Sequence, residues 1–198
     1  VASRCRSPAG ARCTVSEDLF FDGVVLLEGR GSAAPGRATA PLWGMSVQKN
    51  ILVVYHSQGG TMASLAQRFA RGAAREEEVE VTLRRAGEAS LNDLLRCRAI
   101  AIGSPEYFGT MAGMIKDFFD RTYTEAQERT IGLPFVLLVC AGNDGRGAIA
   151  QIERIATGYK WRQALEHLRV VGPPTEADLR AAEELGHTLA AGTALGIF

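Results

Sequence analysis

The chain has 198 residues, of which 46% are hydrophobic, and its 22 Lys and Arg balance 22 Asp and Glu, so it has no formal net charge. This length and hydrophobic content are enough for one well-buried domain. The balanced charge gives no indication of a nucleic-acid or anionic-membrane partner. The four cysteines form neither a C-x-x-C pair nor a metal-ligand spacing with the three histidines. We therefore predict no metal site and a reduced, cytoplasmic protein.

The first part of the chain differs in composition from the rest, because it mixes Arg, Ser, Gly, Pro and Ala. Its one apolar run, Leu19 to Leu27, is too short to span a bilayer and is interrupted by Asp22 and Gly23. We predict that residues 1–45 are a disordered extension, or lie upstream of the true start, and that one domain spans residues 46–198. The Arg-rich, acid-poor start leaves a transit peptide as the alternative.

Beyond this segment, short apolar runs alternate with stretches of helical periodicity, which predicts a parallel sheet with helices on both faces. In such a sheet ligands bind outside the carboxyl ends of the strands, so the loops after the first, third and fourth strands should meet. The predicted strands cover residues 51–55, 79–83, 99–103, 135–140 and 168–171, and the predicted helices start at residue 62, cover 90–96, 110–123 and 147–157, and start again at 175.

The loop after the first strand has the composition of an anion site. Its sequence His56-Ser-Gln-Gly-Gly-Thr61 leads from a buried strand into a helix, whose free N–H groups and positive dipole end favour an anion. A Walker loop would need Gly-Lys-Ser/Thr, and no lysine lies between Ile51 and Lys116. The paired glycines also lack the G-x-G-x-x-G spacing of dinucleotide sites. An uncharged cradle of hydroxyls and glycines remains, which suits a terminal phosphate monoester.

The segment S-x-x-G-x-x-x-S that starts at Ser57 resembles the phosphate loop of the flavodoxin-like family, which holds the phosphate of FMN. The resemblance implies a doubly wound α/β fold with a five-stranded parallel sheet in the order 2-1-3-4-5. It also implies that the phosphate is bound by Ser57, Gln58, Gly59, Gly60, Thr61 and Ser64.

The loop after the third strand carries two aromatic residues between glycines, where a flat apolar ring would give them a partner. Its sequence G-S-P-E-Y-F-G-T, followed by M-A-G-M-I-K-D-F-F-D, closely resembles the flavin-ring loop of the NAD(P)H-dependent FMN reductase and quinone reductase branch. The resemblance implies that the ring is bordered by Pro105, Glu106, Tyr107, Phe108, Gly109 and Thr110, and in the loop after the fourth strand by Gly142 and Asn143. For Asp144, a contact with the ring and a capping role at the next helix stay equally open.

We therefore expect an FMN-dependent oxidoreductase that transfers hydride from NAD(P)H through FMN to a quinone or similar small acceptor, with no catalytic side chain needed. A homodimer is compatible with this resemblance. His56, beside the phosphate loop, could hydrogen-bond the ligand or relay a proton, but a merely solvated or capping histidine is the simpler interpretation.

Two other functions stay open, namely an electron carrier of the flavodoxin type and a non-catalytic FMN-binding sensor. Carriers typically use a strongly acidic surface. The first 44 residues hold five of the basic and four of the acidic residues, so the remainder has a net charge of only −1. This weighs against the carrier. A receiver-type signalling domain would need an acidic pair at the end of the first strand. His56 and Ser57 occupy these positions, which excludes that function.

Overall fold

The computed structural model describes residues 49–198, and the predictions for residues 1–45 lie outside this part of the chain. The described residues form a sheet of seven strands and five helices. The strands are β1 (Lys49–Tyr55), β2 (Val79–Arg85), β3 (Cys97–Tyr107), β4 (Thr110–Met111), β5 (Pro134–Ala141), β6 (Arg162–Gln163) and β7 (Leu168–Val171). The helices are α1 (Thr61–Ala73), α2 (Leu91–Arg96), α3 (Gly113–Ala126), α4 (Arg146–Gly158) and α5 (Glu176–Leu195).

The sheet confirms the predicted fold class, with parallel strands in the order β2-β1-β3-β5 and the edge position shared by β6 and β7. The central strands are buried on both faces, as their continuous apolar runs predict. One core lies between the sheet and α2, α3 and α4, and the other lies between the sheet and α1 and α5. The carboxyl ends of all parallel strands therefore point to one edge, where the loops after β1, β3, β5 and β7 come together.

The prediction of five strands was too low, and one reason is a hairpin after β3. Strand β3 continues to Tyr107, turns over two residues and pairs antiparallel with β4. Helix α3 therefore starts at Gly113 rather than at Thr110. The helical periodicity of this stretch extends back to Met111, whose side chain is buried against the same core, so the pattern alone could not separate a short strand from a first helical turn.

The second reason is that the edge strand consists of two pieces, β6 and β7, which both pair with β5. Between them, the backbone N–H of Leu137 in β5 donates to Nδ1 of His167 at 3.1 Å, so an imidazole replaces a missing ladder partner. No local feature of the sequence indicates this contact, because His167 and Leu137 lie 30 residues apart. Burial lowers the pKa of His167, against the opposing effect of Glu153. A neutral imidazole is what this hydrogen bond requires, because Nδ1 must accept.

Helices α1 and α5 pack with their backbones in close contact. A Cβ added at Gly72 would lie 1.8 Å from the carbonyl oxygen of Glu183, and one at Gly186 would lie 2.0 Å from that of Phe69. Helix α5 begins at a capping box formed by Thr175 and Asp178. This packing holds the second half of α1 against α5. Within residues 49–198, no helix is long and apolar enough to cross a membrane.

Candidate functional site

A cleft of about 460 Å³ lies at the carboxyl edge of the sheet, within the range of roughly 300–1,000 Å³ that is typical of ligand sites. Four loops, those after β1, β3, β5 and β7, form its walls. The lining residues are Ser57, Gln58, Gly59, Thr61, Met62, Pro105, Glu106, Tyr107, Cys140, Ala141, Gly142, Gly172, Pro173 and Pro174. The three loops that the sequence predicts to meet therefore do line one cleft, and the loop after β7 lines it as well.

The loop after β1 presents unpaired backbone donors at one end of the cleft. Within residues 49–198, the N–H groups of Gly59, Thr61 and Met62 donate to no protein acceptor. A Cβ at Gly59 or Gly60 would meet nothing within 4 Å, so the space in front of the loop is open. The first turn of α1 carries no acidic residue, and its positive dipole end is not neutralised locally. These features fit a bound phosphate.

The residues predicted for the phosphate loop have different positions. Ser57, Gln58, Gly59 and Thr61 line the cleft. Gly60 shapes the loop, because it begins α1 with φ of 90° and its N–H donates to the Ser57 hydroxyl oxygen at 3.1 Å. The Ser57 hydroxyl keeps its own proton available to a ligand. Ser64 lies one turn into α1, outside the lining, and its hydroxyl donates to the Gly60 carbonyl.

The hairpin between β3 and β4 forms a second wall. Pro105, Glu106 and Tyr107, which the resemblance places at the flavin ring, line the cleft. The two turn residues, Phe108 and Gly109, both have positive φ, 53° and 74°, as in a type I′ turn. They lie outside the lining and the Phe108 ring is fully exposed, so the hairpin tip projects beyond the cleft.

Two side-chain hydrogen bonds within the hairpin stabilise its turn and its base. The Thr110 hydroxyl lies outside the lining and donates to the Tyr107 carbonyl at 2.9 Å, which closes the turn. At the base, the buried Ser104 hydroxyl accepts the Ala112 N–H at 3.0 Å. The structure therefore gives Thr110 a contact within the hairpin.

Replacing Phe108 by asparagine should stabilise the protein in the absence of any ligand. A bulky residue at positive φ is strained, whereas Asn tolerates this conformation and is favoured before Gly in type I′ turns. Because the Phe108 ring is fully exposed, its removal sacrifices no buried apolar surface. We expect a gain of about 0.5–1 kcal/mol and a rise in Tm of about 1–4 °C, measured by thermal unfolding. Phe108→Ala removes the ring without favouring positive φ, so an equal gain in that variant would contradict this explanation.

The loop after β5 places one of its two predicted residues in the cleft. Gly142 lines the cleft, whereas Asn143 is exposed outside the lining. Asp144 lies outside it too, and its side chain accepts the N–H of Arg146 at 3.1 Å, which favours the capping interpretation. The Asp144 carbonyl also accepts from the Arg169 guanidinium at 2.6 Å, so strand β7 holds this loop in place.

Several lining residues were not predicted from the sequence. Gly172, Pro173 and Pro174 follow β7 and close the far side of the cleft. The available signal was their position directly after a parallel strand, at the edge where ligands bind. Met62 and Cys140 belong to the hydrophobic core, and one side of each reaches the cleft.

His56 lies beside the cleft rather than in it. Its ring meets the ring of Tyr107 edge-on, with centroids 6.3 Å apart. Burial lowers the pKa of His56, and the positive charge of Arg85 lowers it further. The imidazole is therefore biased towards its neutral form. This geometry supports a packing contact with a cleft-lining aromatic.

Comparisons with known proteins agree with this architecture. The sequence profile of a family described as NADPH-dependent FMN reductase matches residues 86–171, which include the β3–β4 hairpin and the loop after β5. A flavodoxin of Aquifex aeolicus (strain VF5) is 36% identical over 70 residues, which are 35% of this chain and 38% of that protein. Residues 86–171 therefore resemble the FMN reductase family, and the described residues have the flavodoxin-like fold. The aligned part spans well under half of the curated relative's length.

Solved structures of the flavodoxin-like superfamily share the fold. A flavodoxin from the domain Archaea superposes with a TM-score of 0.66 at 23% identity, covering 73% of this chain and 99% of that one. A WrbA-like flavodoxin from Agrobacterium tumefaciens gives a TM-score of 0.65 at 20% identity, covering 74% and 98%. The Flv1 flavodiiron core from Synechocystis sp. PCC6803 gives 0.66 at 22% identity, covering 76% of this chain and 37% of that one.

Proposed function

We propose that the protein binds FMN in this cleft and transfers hydride from NAD(P)H to a quinone or another small electron acceptor. The observation that carries the proposal is that one cleft has an anion-binding end and an aromatic end. One end offers unpaired backbone donors at the start of α1, and the other offers the aromatic wall of the β3–β4 hairpin. A phosphate ester of a flat ring system fits both ends. The match to the FMN reductase profile supports the same ligand.

The phosphate would be held mainly by backbone groups. The N–H groups of Gly59, Thr61 and Met62 are available, and the hydroxyls of Ser57 and Thr61 add further donors. Among residues 49–198, no lysine or arginine lines the cleft, so hydrogen bonds and the dipole of α1 would balance the phosphate charge. Each hydrogen bond to a charged group contributes about 1.5–3 kcal/mol.

The ring would lie towards the loops after β3 and β5. Pro105, Tyr107 and Ala141 give this end an apolar wall that would exclude water from one side of the ring. FMN, when bound, would supply the hydride- and electron-transfer chemistry. Burial raises the pKa of the Cys140 thiol, which keeps that side chain protonated and neutral. The role of the chain is therefore to bind and orient the cofactor and its substrates.

A flavodoxin-type carrier is the second candidate, because flavodoxins are among the relatives of this chain. Carriers find their protein partners through strong surface charge. Beyond residue 44 this chain has a net charge of only −1, which favours the enzyme. Cys97 and Cys140 are both free and buried, in keeping with a reducing cytoplasmic compartment, which is part of the proposal.

Steady-state oxidation of NADPH and NADH with a benzoquinone acceptor tests the enzyme against the carrier. We expect turnover that changes little between low and moderate salt, because a near-neutral enzyme does not steer its small substrates by charge.

Tyr107→Ala should change the nicotinamide and quinone kinetics more than FMN affinity, since stacking on one aromatic contributes about 1–3 kcal/mol while the phosphate loop stays intact. FMN binding without turnover of either nicotinamide would reject the reductase.

A further inference from the structure

Helix α4 has one local capping contact, because the Asp144 side chain accepts the N–H of its first residue, Arg146. Its N-cap is Gly145, which makes no side-chain hydrogen bond, and its first turn contains no acidic residue. The N–H of Ala148, the third residue of the helix, would normally be satisfied by an N-cap side chain. Here it donates to Oε2 of Glu106 at 2.9 Å, across 42 residues of sequence. The hairpin therefore supplies the partner of the Ala148 N–H, to which Gly145 offers no side chain.

Two further contacts join the same pair of elements. The Gly109 carbonyl packs so closely on α4 that a Cβ at Gly147 would lie 2.0 Å from its oxygen. The N–H of Met111 reaches Oε1 of Gln151, one turn further along the helix, at 3.4 Å. The hairpin thus contacts the first two turns of α4 through backbone, carboxylate and amide groups. Because α4 follows the loop after β5 directly, these contacts tie two walls of the cleft together.

The charge of Glu106 has no side-chain partner in the described part of the chain, since no Lys, Arg or His nitrogen there lies within 4 Å of it. The positive end of α4 is what balances the carboxylate. Glu106 also lines the cleft. A merely solvated glutamate would not accept the N–H of Ala148, as Glu106 does.

We propose that Glu106 is a positioning residue that locks the β3–β4 hairpin to α4, so that the walls formed by the loops after β3 and β5 act as one rigid unit. The role of this unit in ligand binding rests on the proposed function. Resemblance alone suggested a cofactor contact for Glu106. The structure assigns its carboxylate to the helix, and its effect on the ligand is transmitted through the wall that it holds.

The experiment compares Glu106→Ala, Glu106→Gln and the matched control Asp93→Ala. Asp93 also serves a helix start, because its carboxylate accepts the N–H of Ser90 at 2.8 Å, but it lies outside the cleft. Glutamine keeps an oxygen that can accept from Ala148. The first readout is hydrogen–deuterium exchange of residues 104–111 and 146–151 in protein without flavin. The second is FMN affinity by titration.

Glu106→Ala should raise amide exchange in both segments by about tenfold and weaken FMN by about tenfold, the loss of one charge-assisted hydrogen bond. In Glu106→Gln both quantities should stay within about threefold of the wild type, and Asp93→Ala should change neither. Loss of a capping contact should lower Tm in both alanine variants, so Tm does not distinguish them. Exchange and FMN affinity in Glu106→Ala that match Asp93→Ala would overturn the proposal, and so would a glutamine variant as impaired as the alanine variant. If Glu106→Ala does not fold, Glu106→Asp, whose carboxylate is one carbon short, replaces it. Wild-type protein that binds no FMN would reject the proposed function, while the exchange comparison would still decide the role of Glu106.

Discussion

Replacing Gly60 by valine is expected to weaken FMN binding about a hundredfold or more while leaving riboflavin affinity within about threefold. Gly60 has φ of 90°, and the space where its side chain would project is empty. A β-branched residue there would be strained and would occupy the space that the phosphate needs. Loss of two of the hydrogen bonds to a charged group corresponds to about 3 kcal/mol or more, hence the hundredfold. Riboflavin lacks the phosphate and would not lose these bonds.

The matched control for this variant is Gly132→Val. Gly132 also has positive φ, 77°, with nothing within 4 Å of an added Cβ, but it lies outside the cleft. Both valines should lower Tm through backbone strain, and only Gly60→Val should lower FMN affinity. Titrations of both variants with FMN and riboflavin, followed by flavin fluorescence, measure this. Equal losses for the two ligands would show that the phosphate is bound away from the loop after β1.

Much of the fold could be predicted because its central strands are unambiguous. The runs Ile51 to Tyr55 and Phe135 to Cys140 are apolar throughout and short, which favours strands buried on both faces. The hairpin and the divided edge strand could not be predicted in this way. Thr110 and Met111 fit the period of the following helix, and the pairing of His167 with Leu137 depends on a contact 30 residues apart in sequence.

The candidate site could also be predicted only in part. Ser57, Gly59 and Tyr107 could be assigned to one cleft because the carboxyl ends of parallel strands share an edge. The capping of α4 by Glu106 could not be predicted, because neither Glu106 nor Ala148 carries a local signal of the other. Gly172 to Pro174 resemble an ordinary strand-ending turn, and only the three-dimensional structure brings them opposite the loop after β1.

Gly147→Ala should have the second large effect, because a methyl group at this position cannot be accommodated without moving the hairpin. The added Cβ would lie 2.0 Å from the Gly109 carbonyl oxygen and 3.3 Å from Oε2 of Glu106. The Gly109 contact is with backbone, so no side-chain rotation can relieve it. The exposed hairpin tip is the part that can yield. Displacing it would carry Tyr107 away from the cleft and break the hydrogen bond between Glu106 and Ala148.

We therefore expect Gly147→Ala to fold, to lose FMN affinity by about tenfold to a hundredfold, and to lose riboflavin affinity equally, because this change acts at the ring end of the cleft. This last expectation separates it from Gly60→Val, which should spare riboflavin. The matched control is Gly113→Ala at the start of α3, where an added Cβ meets nothing within 4 Å and φ is not positive. That control should bind both flavins like the wild type and gain slightly in stability, since alanine favours the helix. Flavin titrations of the two alanine variants, with far-UV circular dichroism to verify folding, provide the measurement. Unchanged affinity in Gly147→Ala would mean that the hairpin does not contribute a wall to the flavin site, whatever its contacts with α4.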